Sequence, residues 1–182
     1  MIFASVEFVF FLFVVLILYY SLNSRHQWKI LLLSSLLFFF YLSTEAAAIA
    51  IVITVVNYLC GIILGKYKEK TKLFYNIGVF FNIGILVFYK YINFLLTNIF
   101  GLIRVFQSDI STPQLDVLLP LGISFYIFLC IGYLTDVYRE SIEPERHLGH
   151  FLNFSLFFPK IISGPVERSK NLLPQLKVRY KW

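Results

Sequence analysis

The chain has 182 residues, of which 59% are hydrophobic, 19% aromatic and only 14% charged, with a formal net charge of +6. Soluble domains average about 25% charged residues, and one of this length has too little interior for so much apolar side chain. Composition therefore excludes an ordinary soluble domain and points to a single all-α polytopic membrane domain over residues 1–182. Nucleic-acid binding is not expected, because the positive charge sits in short segments between apolar runs, as membrane topology demands, and forms no patch on a known nucleic-acid fold.

Residues 2–20 form an apolar run with Glu7 as its only charge. At ~1.5 Å per residue such a run reaches roughly 28 Å, enough to span a bilayer. The first positive side chain, Arg25, lies beyond that run, so a cleavable signal peptide with its positive leading segment is not expected. After a polar loop with Arg25 and Lys29, a second run covers 30–42 and extends back through Trp28, an interface anchor. Ser43, Thr44 and Glu45 make a tight connection to a third span over 46–64. Its Gly61 and Gly65 form a small-xxx-small pair at the end of the span, read here as helix packing rather than dimerisation.

Lys66, Lys68, Lys70 and Lys72 make the most basic loop. The run over 73–100 is long for one span and carries Asn76, Asn82, Lys90, Asn93 and Asn98. Its first part suffices to cross, and the rest is expected along the interface. Lys90 has two readings: a cation snorkelling to the headgroups, or one facing the protein interior toward a carboxylate or substrate. A mixed loop over 101–117 leads to a fifth span at 117–135, opened by Pro120 and Gly122 and closed by Asp136 and Arg139.

The stretch 118–176 mixes Gly, Pro and charge into apolar sequence, a combination that is costly in lipid and usually serves packing or function. Pro144 and the nearby acids signal a helix start, with Arg146, His150 and Asn153 on one face and Leu148, Phe151 and Leu152 on the other. That pattern predicts an interfacial or re-entrant amphipathic helix. Pro159 and the Gly164-Pro165 pair then break any helix. Cys60 and Cys130 lie inside apolar runs and read as small buried hydrophobes. His147 and His150, three apart, lack a convincing third metal ligand and read as solvated interface residues; His26 has no acidic neighbour. No Ser/His/Asp set and no phosphate-binding glycine loop is present.

Alternate loops carry the positives: two in 21–29, a net +3 in 65–72 and a net +4 in 166–182, against one negative in 43–45 and a net −1 in 101–117. The basic loops face the cytoplasm, which puts the N-terminus outside and Asp136 onward inside.

PLGISFY, the Tyr133–Arg139 segment, FFPKIISGP and LLPQL, together with FASVEFVFF, TVVNYLCGIILG and FYKYINF in this order, resemble the membrane-bound O-acyltransferases. The nearest branch includes the alginate O-acetyltransferases and the teichoic acid D-alanyl transfer proteins. The resemblance implies the first half of a helical ring around a tunnel, in a bacterial cytoplasmic membrane. It implies transfer of an acyl group, often acetyl, from an acyl thioester (acyl-CoA or an acyl carrier) to hydroxyls of a cell-wall or extracellular polysaccharide. The family's enzymes are longer, and their active-site histidine lies in the later half, so no catalytic residue is expected here. The expected partners are the lipid bilayer, a C-terminal half or companion chain, and an extracytoplasmic acceptor. The resemblance assigns Asp136 and Arg139 to a bracing pair, and Lys160, Gly164, Pro165 and Arg168 to a cytoplasmic funnel, as donor contacts or as structural support. A non-catalytic scaffold subunit and a small membrane transporter are the alternatives.

Overall fold

The computed structural model describes residues 6–23, 26–67, 69, 71–104, 113–116, 120, 122–160 and 168–178. Every regular element among them is helical. Five apolar helical runs come first: α1 (Val6–Ser21), α2 (Gln27–Leu42), α3 (Thr44–Lys66), a composite of α4 (Thr71–Leu86), a π turn (Val87–Tyr91) and α5 (Ile92–Arg104), and then α6 (Ile123–Tyr138). Two short helices follow, α7 (Leu148–Ser155) and α8 (Ser169–Lys177), with a 3₁₀ turn at Phe158–Lys160 between them. The runs at 44–66 and 71–104 are long and apolar enough to cross a membrane, and α1, α2 and α6 are shorter apolar helices. This is an all-α membrane protein, as the composition indicates.

Local chemistry explains the boundaries. Ser43 caps α3 by accepting the Ala46 N–H at 3.2 Å, and its extended backbone ends α2. Gly122 precedes α6 at φ 73°, a left-handed conformation that glycine adopts without strain. The fifth run therefore starts as a helix at Ile123, not at 117, and Pro120 lies ahead of the first turn rather than in it. The helix also continues past Thr135, which puts Asp136 inside α6 and leaves Arg139 as its C-cap.

The 73–100 region belongs to one uninterrupted helical run of 34 residues, Thr71–Arg104. It contains no proline, and the π turn accommodates one extra residue without breaking the ladder. None of the residues of α5 is buried.

α6 sits at the centre, packed against α3, α4, α7 and α8. Its fully buried Tyr133 lies over Gly61, where a Cβ would come within 2.6 Å of the ring, and its Leu134 lies over Gly78 at 2.8 Å. Gly65 receives Pro144 in the same way at 2.4 Å. The Gly61/Gly65 pair thus serves packing within the chain, as its position suggested. Polar contacts tie the same helices together. Asn57 on α3 and Asn82 on α4 exchange amide hydrogen bonds of 3.0 and 2.7 Å, and both are 0% exposed. Thr54 Oγ1 lies 2.9 Å from Ser155 Oγ, joining α3 to α7.

The short helical segment after α6 is present, but with different bounds and faces. Pro144–Arg146 is not helical, because the Glu145 N–H donates to the Tyr133 hydroxyl at 3.0 Å. His147 then caps α7. Asn153, expected on the polar face, is fully buried and donates to the Trp28 carbonyl at 2.7 Å, while Leu148 is exposed. α7 is wrapped by α2, α3 and α8 rather than lying with one wet face. The break at Pro159 falls in the 3₁₀ turn, whereas Gly164 and Pro165 lie outside the described residues. α8 is a helix the sequence reading did not expect, formed despite Pro174 within it.

Replacing Gly61 by alanine is expected to destabilise the bundle by ~1–3 kcal/mol, since Tyr133 cannot move without disturbing its partners. Gly84→Ala, with open space around it, should be close to neutral. Thermal melts of the detergent-solubilised variants check both. Asn57→Leu leaves Asn82 without its partner, so the single change should cost more than Asn57→Leu with Asn82→Leu, a comparison read directly from the double-mutant cycle.

Candidate functional site

One face of α6 repeats Phe128, Gly132, Thr135, Asp136 and Arg139 at three- and four-residue spacing. With Leu129, and with Arg168 and Ser169 at the start of α8, these residues line a cavity of about 230 Å³. Gly132 leaves the floor open, because nothing lies within 4 Å of where its Cβ would be. The Ser169 hydroxyl donates to Asp136 Oδ2 in a short hydrogen bond that pins α8 against α6. Asp136 also faces the N-terminal turn of α8, whose dipole favours a carboxylate there.

Three of the residues named from sequence, Asp136, Arg139 and Arg168, therefore meet at one site. The expected pairing does not form: Asp136 bonds Ser169, and Arg139, as the C-cap of α6, is exposed and makes no ion pair with it. The three-residue offset is compatible with a pair, but the carboxylate is turned toward α8. Lys160 is half-buried at the end of the 3₁₀ turn and does not line this cavity. Lys90 is exposed on the π turn, its ammonium 5.6 Å from the centre of the Tyr91 ring.

The cavity combines two guanidinium groups with one carboxylate and an apolar wall of Phe128 and Leu129. That lining suits the anionic end of an amphiphilic molecule.

A second group lies on the other side of α8. Glu145, 5% exposed, pairs with Lys177 at 2.6 Å and accepts the His147 N–H at 3.0 Å. Burial opposes its charge, but the Lys177 ammonium and the His147 N–H hold the carboxyl below its usual range. Glu145, Lys177 and Ser169 share a further cavity of about 410 Å³. Among the described residues no group of three or more His, Cys, Asp or Glu is placed to hold a metal ion.

The sequence reading missed Ser169 and the Glu145–Lys177 pair. A serine ahead of Leu172, Leu173 and Leu176 is the pattern of a helix start, a signal masked by Pro174. The ion pair joins residues too far apart in sequence for any local pattern to reveal.

The chain is 36% identical over 185 residues to a probable alginate O-acetylase of Pseudomonas putida, a match taking in 98% of this chain and 38% of that protein. It is 31% identical over 149 residues to a peptidoglycan O-acetyltransferase of Helicobacter pylori, covering 68% of this chain and 27% of that protein. A 50-residue stretch is 42% identical to a teichoic acid D-alanyltransferase of Streptococcus thermophilus, 28% of this chain and 12% of that one. No protein-family model matches the chain, and no solved structure matches it. The apolar helical fold and these matches define a membrane protein of the acyltransferase kind. The chain belongs to the membrane-bound O-acyltransferase family, in its alginate O-acetylase-like branch. It spans 35–38% of the length of three of these alginate O-acetylases.

A charge-assisted hydrogen bond is worth about 1.5–3 kcal/mol. Asp136→Ala and Ser169→Ala are therefore expected to be strongly non-additive in a stability cycle, whereas Asp136→Ala and Arg139→Ala should add.

Proposed function

We propose that this chain is the donor-side portion of a membrane-bound enzyme that moves an acyl group, acetyl in the relatives of highest coverage, from an acyl thioester to hydroxyls of an alginate-like polysaccharide. The observation that carries this reading is alignment along 98% of the chain to alginate O-acetylases. The cavity at Asp136, Arg139, Arg168 and Ser169 supports it, with a lining suited to the anionic part of acyl-CoA or of an acyl carrier's prosthetic group.

In such a transfer the acceptor oxygen attacks the thioester carbonyl. A C–O bond forms, the C–S bond breaks, and the hydroxyl proton passes by way of a base to the departing thiolate. The three histidines here are poor candidates for that base. His147 caps α7, His150 stacks on it, and His26 stands at the exposed start of α2. The base and the acceptor-side wall are assigned to a companion segment carrying further helices. In this reading residues 1–182 form one domain of a multi-pass protein of the bacterial cytoplasmic membrane, N-terminus outside, with Arg139, Arg168 and Lys177 on the cytoplasmic side. A non-catalytic scaffold is the second reading, favoured by the capping and stacking roles of His147 and His150.

The purified chain, given an acetyl thioester and a polysaccharide acceptor, is expected to show no turnover alone. It should gain turnover when co-expressed with a companion segment bearing a membrane histidine, since loss of a base costs ~10²–10⁴ in rate. In the active pair, Arg139→Ala and Arg168→Ala should raise KM for the thioester more than they lower kcat. Turnover by the lone chain with His26, His147 and His150 all replaced would falsify this reading.

Single cysteines at Asn23 and Gln114, in a background lacking Cys60 and Cys130, report the orientation. An impermeant thiol reagent should label the Gln114 position in intact cells and not the Asn23 position, and the opposite pattern would reverse the topology.

A further inference from the structure

We infer that the cavity between α6 and α8 holds an anionic phospholipid of the inner leaflet, its phosphate between Arg139 and Arg168 and the start of one acyl chain along Phe128 and Gly132.

The polar end of the cavity carries an excess of positive charge. Arg139 and Arg168 both line it, both are exposed, and neither makes an ion pair among the described residues. The one carboxylate in the lining, Asp136, is already engaged: it accepts the Ser169 hydroxyl and faces the N-terminal turn of α8. A guanidinium offers parallel N–H donors to phosphate oxygens, and two of them at one opening fit a phosphodiester.

The other end is apolar and open at the surface of α6. Phe128 is 51% exposed, and Gly132 is exposed with nothing within 4 Å of where its Cβ would be. Buried Leu129 completes this wall. A free anion gains nothing from such a wall, whereas a lipid tail packs against it.

Dimensions select the same occupant. From Phe128 to Arg139 is eleven residues, roughly 16 Å of helix and about half the ~30 Å hydrocarbon core. On the orientation proposed above, the two arginines sit at the cytoplasmic headgroups and Phe128 near the middle of the bilayer. The volume of about 230 Å³ lies below the ~300–1,000 Å³ of sites that enclose a drug-sized molecule. It accommodates a phosphate and the first carbons of a chain whose remainder stays in the bilayer. A phosphatidylcholine fits less well, because its quaternary ammonium meets the two guanidinium groups.

This is the cavity assigned above to the donor's anionic part. On that reading, lipid and thioester compete for the same two arginines, and anionic lipid acts as a brake on transfer.

Native mass spectrometry of the detergent-purified chain measures the occupant directly. Phosphatidylglycerol should be retained at least about tenfold more tightly than phosphatidylcholine of the same acyl chains, the scale of one charge-assisted hydrogen bond. Arg139→Ala and Arg168→Ala should each remove most of that preference. Lys170→Ala, which alters the cavity on the other side of α8, should leave it intact. Gly132→Leu has open space and a better helix former, so the helix should stay folded while the filled notch weakens phosphatidylglycerol several-fold. Inorganic phosphate should not displace the lipid. Equal retention of the two lipids, an equal loss in Lys170→Ala, undiminished binding to Gly132→Leu, or displacement by inorganic phosphate overturns the proposal and leaves the donor reading standing. Displacement by acetyl-CoA supports both. A lipid bound as described that acetyl-CoA fails to displace upholds the lipid site and counts against the donor reading alone.

Discussion

Tyr133 holds together elements that share no sequence neighbourhood. Its ring occupies the space left by Gly61 on α3 and packs against Phe151 of α7, centroids 4.6 Å apart and tilted by 54°, while its hydroxyl accepts the Glu145 N–H. That last bond keeps the linker out of a helical conformation and delivers Glu145 to Lys177. The position of α8, and with it the pairing of Ser169 with Asp136, follows from one tyrosine being buried at the middle of α6. In an apolar surrounding a hydroxyl without a partner is costly, so this bond makes the arrangement specific as well as favourable.

The rest of the interior follows the same logic. Packing between helices in lipid gains nothing from burying apolar surface that the acyl chains would cover equally well, so close approach and shared hydrogen bonds decide which helices meet. Glycines at 61, 65 and 78 supply the approach. Asn57 with Asn82, and Thr54 with Ser155, supply the bonds. On α3 the residues 50, 54, 57, 61 and 64 are all buried, the stripe of one helix face, and all of them but Leu64 are small or polar.

Much of this is legible in the sequence. Apolar runs separated by charged loops gave five helical segments, and Gly61 with Gly65 read correctly as internal packing. Asp136, Arg139 and Arg168 are residues to which the family resemblance points, and they share one cavity. What escaped was whatever depended on partners distant in sequence. Asn153 has the polarity and spacing of a wet face, yet it is buried because the Trp28 carbonyl, 125 residues earlier, accepts its amide hydrogen. Asp136 and Arg139 have the offset of an ion pair, yet a serine 33 residues later takes the carboxylate. Helix α8 was hidden by Pro174, because a proline reads as a stop unless the packing of Leu172 and Leu173 is known to hold the turn.

The π turn at Val87–Tyr91 sets an angular phase. An α-helix advances about 100° per residue, so one additional residue in the middle of the 34-residue run rotates everything beyond it relative to α4. Asn93 stands just past that step and grips the backbone of Leu115 twice, through its Nδ2 at 2.9 Å and its Oδ1 at 3.0 Å. Removing a single residue between Val87 and Tyr91 would restore a regular helix and swing Asn93 to a different azimuth, out of reach of that grip. In this segment the number of residues carries as much structural information as their identity: exchanging one apolar side chain for another keeps the phase, but an insertion or deletion of one turns the far half of the rod.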